Sequence, residues 1–224
     1  MKRLFFISLL FLVGFGGFSQ NTSPKLSEFG YSLGVSNYHA QKFSFKNPIS
    51  YAALNTNASG DGGVWYRRKF AVDSINHDYV FIQTGIEFTR RFGDVEHDSL
   101  SIRVDEHFLN LPLLVGCAFT PDDRFSYTIA LGLNLGVLSR QNFFTPTGNG
   151  STVTGLSEGS FADYTKLSLL GDIAINYSFA KRSIARIGIR TSTDFNSPVT
   201  STGKAGVTSS YNAYGMYLGI GKSF

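Results

Sequence analysis

The chain has 224 residues and a formal net charge of +4, and 16% of its residues are charged. This length suits one domain, and so small a charge excludes nucleic acid as a partner, because binding it needs a concentrated basic patch. The single cysteine, Cys117, excludes an internal disulfide and a cysteine-based metal cluster, whereas 21 Phe, 11 Tyr and 24 Gly suit strands and tight turns.

The stretch 1–19 has the composition of a cleaved signal peptide. Lys2 and Arg3 precede an apolar run that is too short for a comfortable spanning helix. Ser19, with a small residue two positions earlier, fits signal-peptidase cleavage, so we place the mature domain at 20–224. An uncleaved N-terminal anchor is the alternative. Cleavage leaves the periplasm, the outer membrane or the medium as the destination.

Seven later segments alternate apolar residues with small or polar ones. Neighbouring side chains of a strand face opposite ways, so this period predicts strands with one apolar face. Each segment is about ten residues long, which is what a strand tilted by about 45° needs to cross a bilayer. The segments are 29–35, 80–88, 109–119, 125–137, 167–177, 185–195 and 214–224.

An even strand count requires an eighth strand, which we place at 63–72. It fits less well, because Arg68 falls on the same face as Tyr66 and Phe70. A charge on the lipid face at mid-depth would cost roughly 2–4 kcal/mol. A β-bulge that shifts the register is one way to avoid this cost.

The connections between these eight segments alternate in length. The long ones are 39–62, 92–107, 139–162 and 196–210, and the short ones are 73–78, 120–124 and 180–183. Long loops on one side and short turns on the other are typical of outer-membrane barrels. We therefore predict an all-β fold, an eight-stranded antiparallel up-and-down transmembrane β-barrel with both termini on the periplasmic side.

The face opposite the apolar one combines small residues with charges of both signs. We predict that its charged residues form a polar network in the lumen, because an unpaired charge in a narrow interior is costly. The alternative is a soluble lipocalin-like barrel, whose apolar face would point inward around a ligand. The charged residues are Glu87, Lys166, Asp172, Arg186 and Arg190.

Three features together resemble a known family. The leader ends in Phe-Ser-Gln, the segment 108–115 has an apolar–Pro–Leu–Leu core at 111–114, and the last strand ends in Phe224. The chain is similar in these respects to the PorT-like outer-membrane β-barrel family, within the wider group of small barrels such as OmpX and the OmpA membrane domain. The resemblance implies this fold and a Gram-negative outer-membrane location. The family's namesake assists a protein-secretion system, a role that we do not carry over.

One long loop holds the best candidates for chemistry. Glu96-His97-Asp98 and Asp105-Glu106-His107 lie on its opposite arms, and strand pairing could bring them together. Imidazole and carboxylate groups can bind a divalent metal or form a hydrolytic site. Solvated loop residues are the simpler interpretation, so we predict no catalytic residue, no metal and no cofactor. The same loop alternates over 100–105, so it could project as a hairpin with an open edge, and a mobile, solvated loop is the alternative.

These features favour a non-enzymatic outer-membrane barrel that binds a protein partner through its outer loops or supports the envelope or a secretion machinery. An outer-membrane enzyme acting on lipid or peptide remains the alternative. We expect outer-membrane lipids and the barrel-assembly machinery as further partners. Phe224 is the candidate assembly signal, because a terminal aromatic after alternating apolar residues resembles the recognition signal for barrel insertion.

Overall fold

The computed structural model describes residues 27–45, 53–56, 58–71, 78–97, 100–122, 124–144, 151–153, 165–180, 182–195 and 207–224. The predicted signal peptide 1–19 lies outside these residues. No helix within them has the length and apolarity to cross a membrane. Their strands are β1 Ser27–Phe45, β2 Ala53–Thr56, β3 Ala58–Ala71, β4 Tyr79–His97, β5 Leu100–Phe119, β6 Phe125–Phe144, β7 Ser151–Val153, β8 Thr165–Ala180, β9 Ser183–Asp194 and β10 Val207–Ser223.

Eight of these strands close into one antiparallel barrel in the order β1-β3-β4-β5-β6-β8-β9-β10, and β10 pairs with β1. The short strands β2 and β7 pair with β4 and β6. The predicted eight-stranded barrel is therefore confirmed. Closure satisfies the backbone groups that an open edge would leave unpaired in lipid.

The pairings determine the stagger of the barrel. Following paired residues once around it from Ile175 of β8, through Leu33 and Phe88, leads back to β8 at Thr165. The start and the end are ten positions apart, which is a shear number of ten. For eight strands about 4.8 Å apart with a rise of about 3.3 Å per residue, this shear corresponds to a tilt of about 40°.

The apolar faces point out of the barrel, as predicted. Leu33 and Phe88 are 74% and 67% exposed, whereas the inward Gln83 and Lys166 are each 1% exposed. A soluble ligand-binding barrel would have the opposite orientation, so that alternative is excluded. Part of the interior is apolar, and its core cluster is Phe81, Leu114, Ala130 and Leu170.

The eighth strand needs no bulge. β3 pairs with β1 and β4 without a register shift, and Arg68 lies opposite Ser27, the first residue of β1. Its guanidinium Nη1 donates to the Ser27 hydroxyl at 3.0 Å. The expectation of a charge at mid-depth is therefore wrong. Arg68 lies at the end of the barrel where the termini meet, and there a long cationic side chain can reach water.

The loop between β4 and β5 is a continued hairpin. The two strands stay paired from Phe88 and Leu109 to His97 and Leu100, nine residues further along each strand. The predicted strand character over 100–105 is thus confirmed. The open edge is wrong for most of its length, because β2 pairs with the outer part of β4 and β6 pairs with β5 from position 103 onward.

Candidate functional site

Two opposite walls of the barrel are linked through the lumen. β4 is the third strand of the closed order and β9 is the seventh, so they face each other across the interior. On each of these two strands, three inward side chains spaced four residues apart contact a partner on the other strand. The two residues of each contact are 103 positions apart in sequence. We call these contacts the cross-lumen ladder. Its rungs are Gln83–Arg186 at 2.8 Å, Glu87–Arg190 at 2.6 Å and Arg91–Asp194 at 3.1 Å.

The two rungs that contain Arg186 and Arg190 are joined through one carboxylate of β8. Arg186 and Arg190 donate to the two oxygens of Asp172 at 2.5 and 3.1 Å. The Tyr217 hydroxyl donates to Asp172 at 3.0 Å. Tyr217 can reach across because Gly188 leaves the space, since a Cβ there would lie 2.5 Å from the tyrosine ring. Four of the five predicted lumen residues are therefore in one connected network.

The fifth predicted residue, Lys166, lies apart from that network. Its Nζ is 3.5 Å from Asp194 and 4.2 Å from the ring centroid of Phe108, and the side chain is 1% exposed. Asp194 also accepts from Arg91 at 3.1 Å and from the Ser168 hydroxyl at 2.6 Å. Lys166 thus belongs to the outermost rung, and sequence reasoning missed both Arg91 and Asp194.

A further cluster at the periplasmic end was also missed. Arg67 is 1% exposed, and its guanidinium donates to Glu28 at 3.2 Å and to Gln83 at 2.8 Å. Lys69 forms an ion pair with the same Glu28. The signal was present in the sequence, because Arg67 and Lys69 occupy the inward positions that alternate with Arg68.

The charges of the lumen balance. Among the lumen-facing side chains that the structure describes, six are acidic and six are basic, and burial of such charges is tolerable only when they are paired. The acids are Glu28, Asp61, Glu87, Glu106, Asp172 and Asp194, and the bases are Arg67, Lys69, Arg91, Lys166, Arg186 and Arg190. A cavity of about 60 Å³ beside Glu87 and Arg190 has room for only a few water molecules. This arrangement can stiffen and obstruct the lumen.

The two histidine-containing arms are not brought together. Asp105 pairs with Phe92, four residues short of Glu96, so the arms are offset by about 13 Å along the strands. Strand pairing therefore does not bring the two arms together. No group of three potential metal ligands occurs among the described residues, although the side chains of 96–98 lie outside them.

Asp105 and His107 lie on the outer face, above the apolar belt. Arg90 Nε and Nη2 donate to the two Asp105 oxygens at 3.0 Å each, and His107 Nε2 is 3.4 Å from the same carboxylate. Burial would raise the pKa of Asp105, but Arg90 outweighs burial and lowers it. The neighbouring Ser139 hydroxyl donates to the His107 backbone oxygen at 2.9 Å and is not directed at the imidazole.

The predicted assembly residue lies at the seam of the barrel. Phe224 N donates to the Ser27 oxygen at 2.9 Å, and Ser27 N donates to the Phe224 oxygen at 3.2 Å. The Phe224 side chain is 60% exposed on the outer wall. The last residue of the chain thus joins the first residue of β1.

Comparisons with known proteins identify one family and several solved structures of similar fold. A family model described as outer membrane protein beta-barrel domain matches residues 18–204. OprG from Pseudomonas aeruginosa has 14% identity and a TM-score of 0.50, with 89% of this chain and 97% of that chain covered. Ail of Yersinia pestis has 15% identity and a TM-score of 0.41, with 88% of this chain and 99% of that chain covered. The outer membrane protease OmpT from Escherichia coli has 9% identity and a TM-score of 0.47, with 92% of this chain and 99% of that chain covered.

At these identities the solved structures show similarity of fold alone. No curated protein matches the chain in sequence.

Proposed function

The chain belongs to the outer membrane protein beta-barrel domain family, and from that premise we propose that it is a non-enzymatic, non-conducting barrel that binds a protein partner above the outer leaflet. It is an outer-membrane protein. The partner surface in this proposal is the projecting sheet formed by the outer parts of β4, β5 and β6, with β2 at its margin.

The observation that carries the proposal is the length of this projection. β4 and β5 remain paired for nine residues beyond Phe88 and Leu109, which corresponds to about 30 Å of strand. Ordering so long a segment costs conformational entropy, which a loop without a binding role would not need to spend. A preordered sheet binds a partner with less loss of entropy than a flexible loop does.

The lumen supports the same proposal by offering little space for transport. The cross-lumen ladder links opposite walls at three levels, and eight-stranded barrels have interiors just wide enough for side chains. A non-enzymatic role is supported by the Ser139 hydroxyl, which donates to backbone and not to the His107 ring. Membership of the PorT-like group is the finer form of the proposal and rests on the segment 108–115.

The test shortens the hairpin without disturbing the barrel. Asp94 and Arg103 are paired, so replacing 95–102 by Asn-Gly closes the hairpin with a two-residue turn. The matched control replaces 181–182 by Asn-Gly at the periplasmic end, between the paired Ala180 and Ser183. Both variants should reach the outer membrane and show heat-modifiable gel migration.

A photo-crosslinker at position 92 then reports the partner in intact cells. We expect the wild type and the periplasmic control to give a discrete protein adduct and the shortened hairpin to lose it. An unchanged adduct in the shortened variant, or none in the wild type, would contradict the proposal. Hydrolysis of lipid or peptide by refolded protein that His107→Ala abolishes would favour the outer-membrane enzyme instead.

A further inference from the structure

The outer wall has a groove at β3. The outward row of this strand contains Gly60 and Gly62 where the flanking strands carry large side chains, Leu33 on β1 and Phe88 on β4. A Cβ at Gly60 would meet no atom within 4 Å, so the space above it is open. The groove has a volume of about 640 Å³. Because this wall faces the bilayer, the groove is open to membrane lipid.

The upper margin of the groove is cationic. Gly60 pairs with Arg90, Arg90 with His107, and His107 with Arg140, so these side chains form one outward row. Arg90 and His107 line the groove itself. The Arg90 side chain is 61% exposed. Its Nε and Nη2 donate to Asp105, whereas its Nη1 does not take part in that pair. The guanidinium groups of Arg90 and Arg140 thus share this margin with the Asp105 carboxylate, whereas Asp61, the carboxylate among the groove's own lining residues, accepts from Ser36 and Tyr38.

The position of this row decides which leaflet it meets. It lies beyond Phe88 toward the long connections, on the side opposite the seam of Ser27 and Phe224. That side is the outer leaflet, which in Gram-negative bacteria consists of phosphorylated glycolipid. Basic side chains at a membrane surface attract anionic headgroups, and a guanidinium matches phosphate geometry with two parallel hydrogen bonds.

We propose that the groove over Gly60 and Gly62, with Arg90 at its margin, is a binding site for one phosphorylated glycolipid of the outer leaflet. One acyl chain lies between Leu33 and Phe88, and a phosphate accepts hydrogen bonds from Arg90. The site lies on the lateral wall at the base of the projecting hairpin. Arg90 lies at the inner end of the β4–β5 hairpin that carries the proposed partner surface, but replacing 95–102 leaves both Arg90 and the groove in place, so either proposal can fail without the other.

The test changes each half of the site separately. Gly60→Leu places a branched side chain in the groove, where its Cβ meets no atom within 4 Å, and Arg90→Gln removes the cation at its margin. The matched controls are Thr191→Leu, which adds the same side chain at an exposed position of β9, and Arg124→Gln, which removes the same charge near the periplasmic turn. The probe is bis-phosphorylated lipid A added to the refolded mature chain in detergent. Native mass spectrometry counts the bound lipid, and heat-modifiable migration verifies folding.

We expect the wild type and both controls to retain one lipid at low lipid concentration. Gly60→Leu and Arg90→Gln should each bind about fivefold to tenfold more weakly, as expected for losing one apolar contact surface or one charge-assisted hydrogen bond. Dephosphorylated lipid A should bind the wild type as weakly as the intact lipid binds Arg90→Gln. Equal retention by all variants, or equal binding of the dephosphorylated lipid, would overturn the proposal. Arg90→Gln decides alone if Gly60→Leu fails to fold.

Discussion

Arg190 joins three walls of the barrel. Its guanidinium donates from β9 to Glu87 on β4 at 2.6 Å and to Asp172 on β8 at 3.1 Å. The side chain is 20% exposed, so water screens the pairs only in part. Removing one partner of a largely buried ion pair leaves the other charges without compensation, which is the costly outcome in a low-dielectric interior.

We therefore expect Arg190→Gln to lower the free energy of unfolding by about 1–3 kcal/mol, because Glu87 loses its cation. Urea titration of the refolded barrel in bilayers measures this change. The fluorescence of Trp65 is the readout, since it is the single tryptophan and is 3% exposed in the lumen. Arg182→Gln in an exposed turn is the control. Equal urea midpoints for the two variants would show that the rung does not stabilise the barrel.

A second prediction at the residue scale concerns Phe224. Its backbone pairs with Ser27 at the seam, and its ring is exposed on the outer wall. We expect deletion of Phe224 to lower the amount of folded, membrane-inserted protein while export and signal cleavage stay intact. Phe224→Tyr, which keeps the ring and the backbone pair, should behave as the wild type.

Fractionation followed by gel migration with and without heating measures this effect. A deletion variant that reaches wild-type levels of heat-modifiable protein in the outer membrane would rule out the assembly role.

At the scale of the elements, the outer part of β5 is paired on both sides over one stretch and on one side over another. β5 pairs with β6 from position 103 onward, whereas 100–102 pair only with β4 among the described strands. Backbone groups with partners on both sides open less often than groups at an edge. Protection should therefore change within a single strand.

We expect hydrogen exchange of the folded barrel to be slow over 103–106 and faster over 100–102. Peptide-resolved exchange monitored by mass spectrometry can separate the two stretches. The same chain unfolded in urea provides the fast-exchanging reference. Exchange over 103–106 as fast as in the unfolded chain would mean that the projecting sheet does not persist in solution, and the proposed partner surface would fail with it.

For the whole molecule, the shear of ten and the ladder together limit the lumen. The strand count and shear determine the radius, and at that radius arginines of β9 can reach acceptors on β4. A larger barrel would place the same residues out of reach and leave water between them. The lumen is obstructed because its width matches the length of the side chains that cross it.

We accordingly expect no steady conductance from the wild type in planar bilayers at high salt. Replacing Glu87 and Arg190 together by serine removes one rung without changing the net charge, and should allow measurable ion flow through the widened interior. The single variant Arg124→Gln should stay closed. Open-pore conductance of the wild type would contradict the non-conducting part of the proposed function.

The alternation of side chains was sufficient to predict the strands and the direction of their faces. It assigned Glu87 and Arg190 to the interior because a strand has a period of two, which is a local property readable from any short segment. The same rule applies to Arg67, which alternates with the outward Arg68. The depth of Arg68 in the bilayer could not be predicted, since it depends on where the strand begins relative to its neighbours.

Only the tertiary structure decided which inward residues meet. Glu87 and Arg190 are 103 positions apart, and their contact follows from β4 and β9 lying on opposite walls at matching heights. Strand order and a stagger of ten residues set those heights, and both are properties of the closed sheet as a whole. The sequence alone determined that the barrel faces lipid with an apolar wall and holds charges inside. The pairing of those charges and the groove at Gly60 depend on the closed geometry, because residues from different strands form each of them. The relative positions of those strands cannot be predicted from any local sequence pattern.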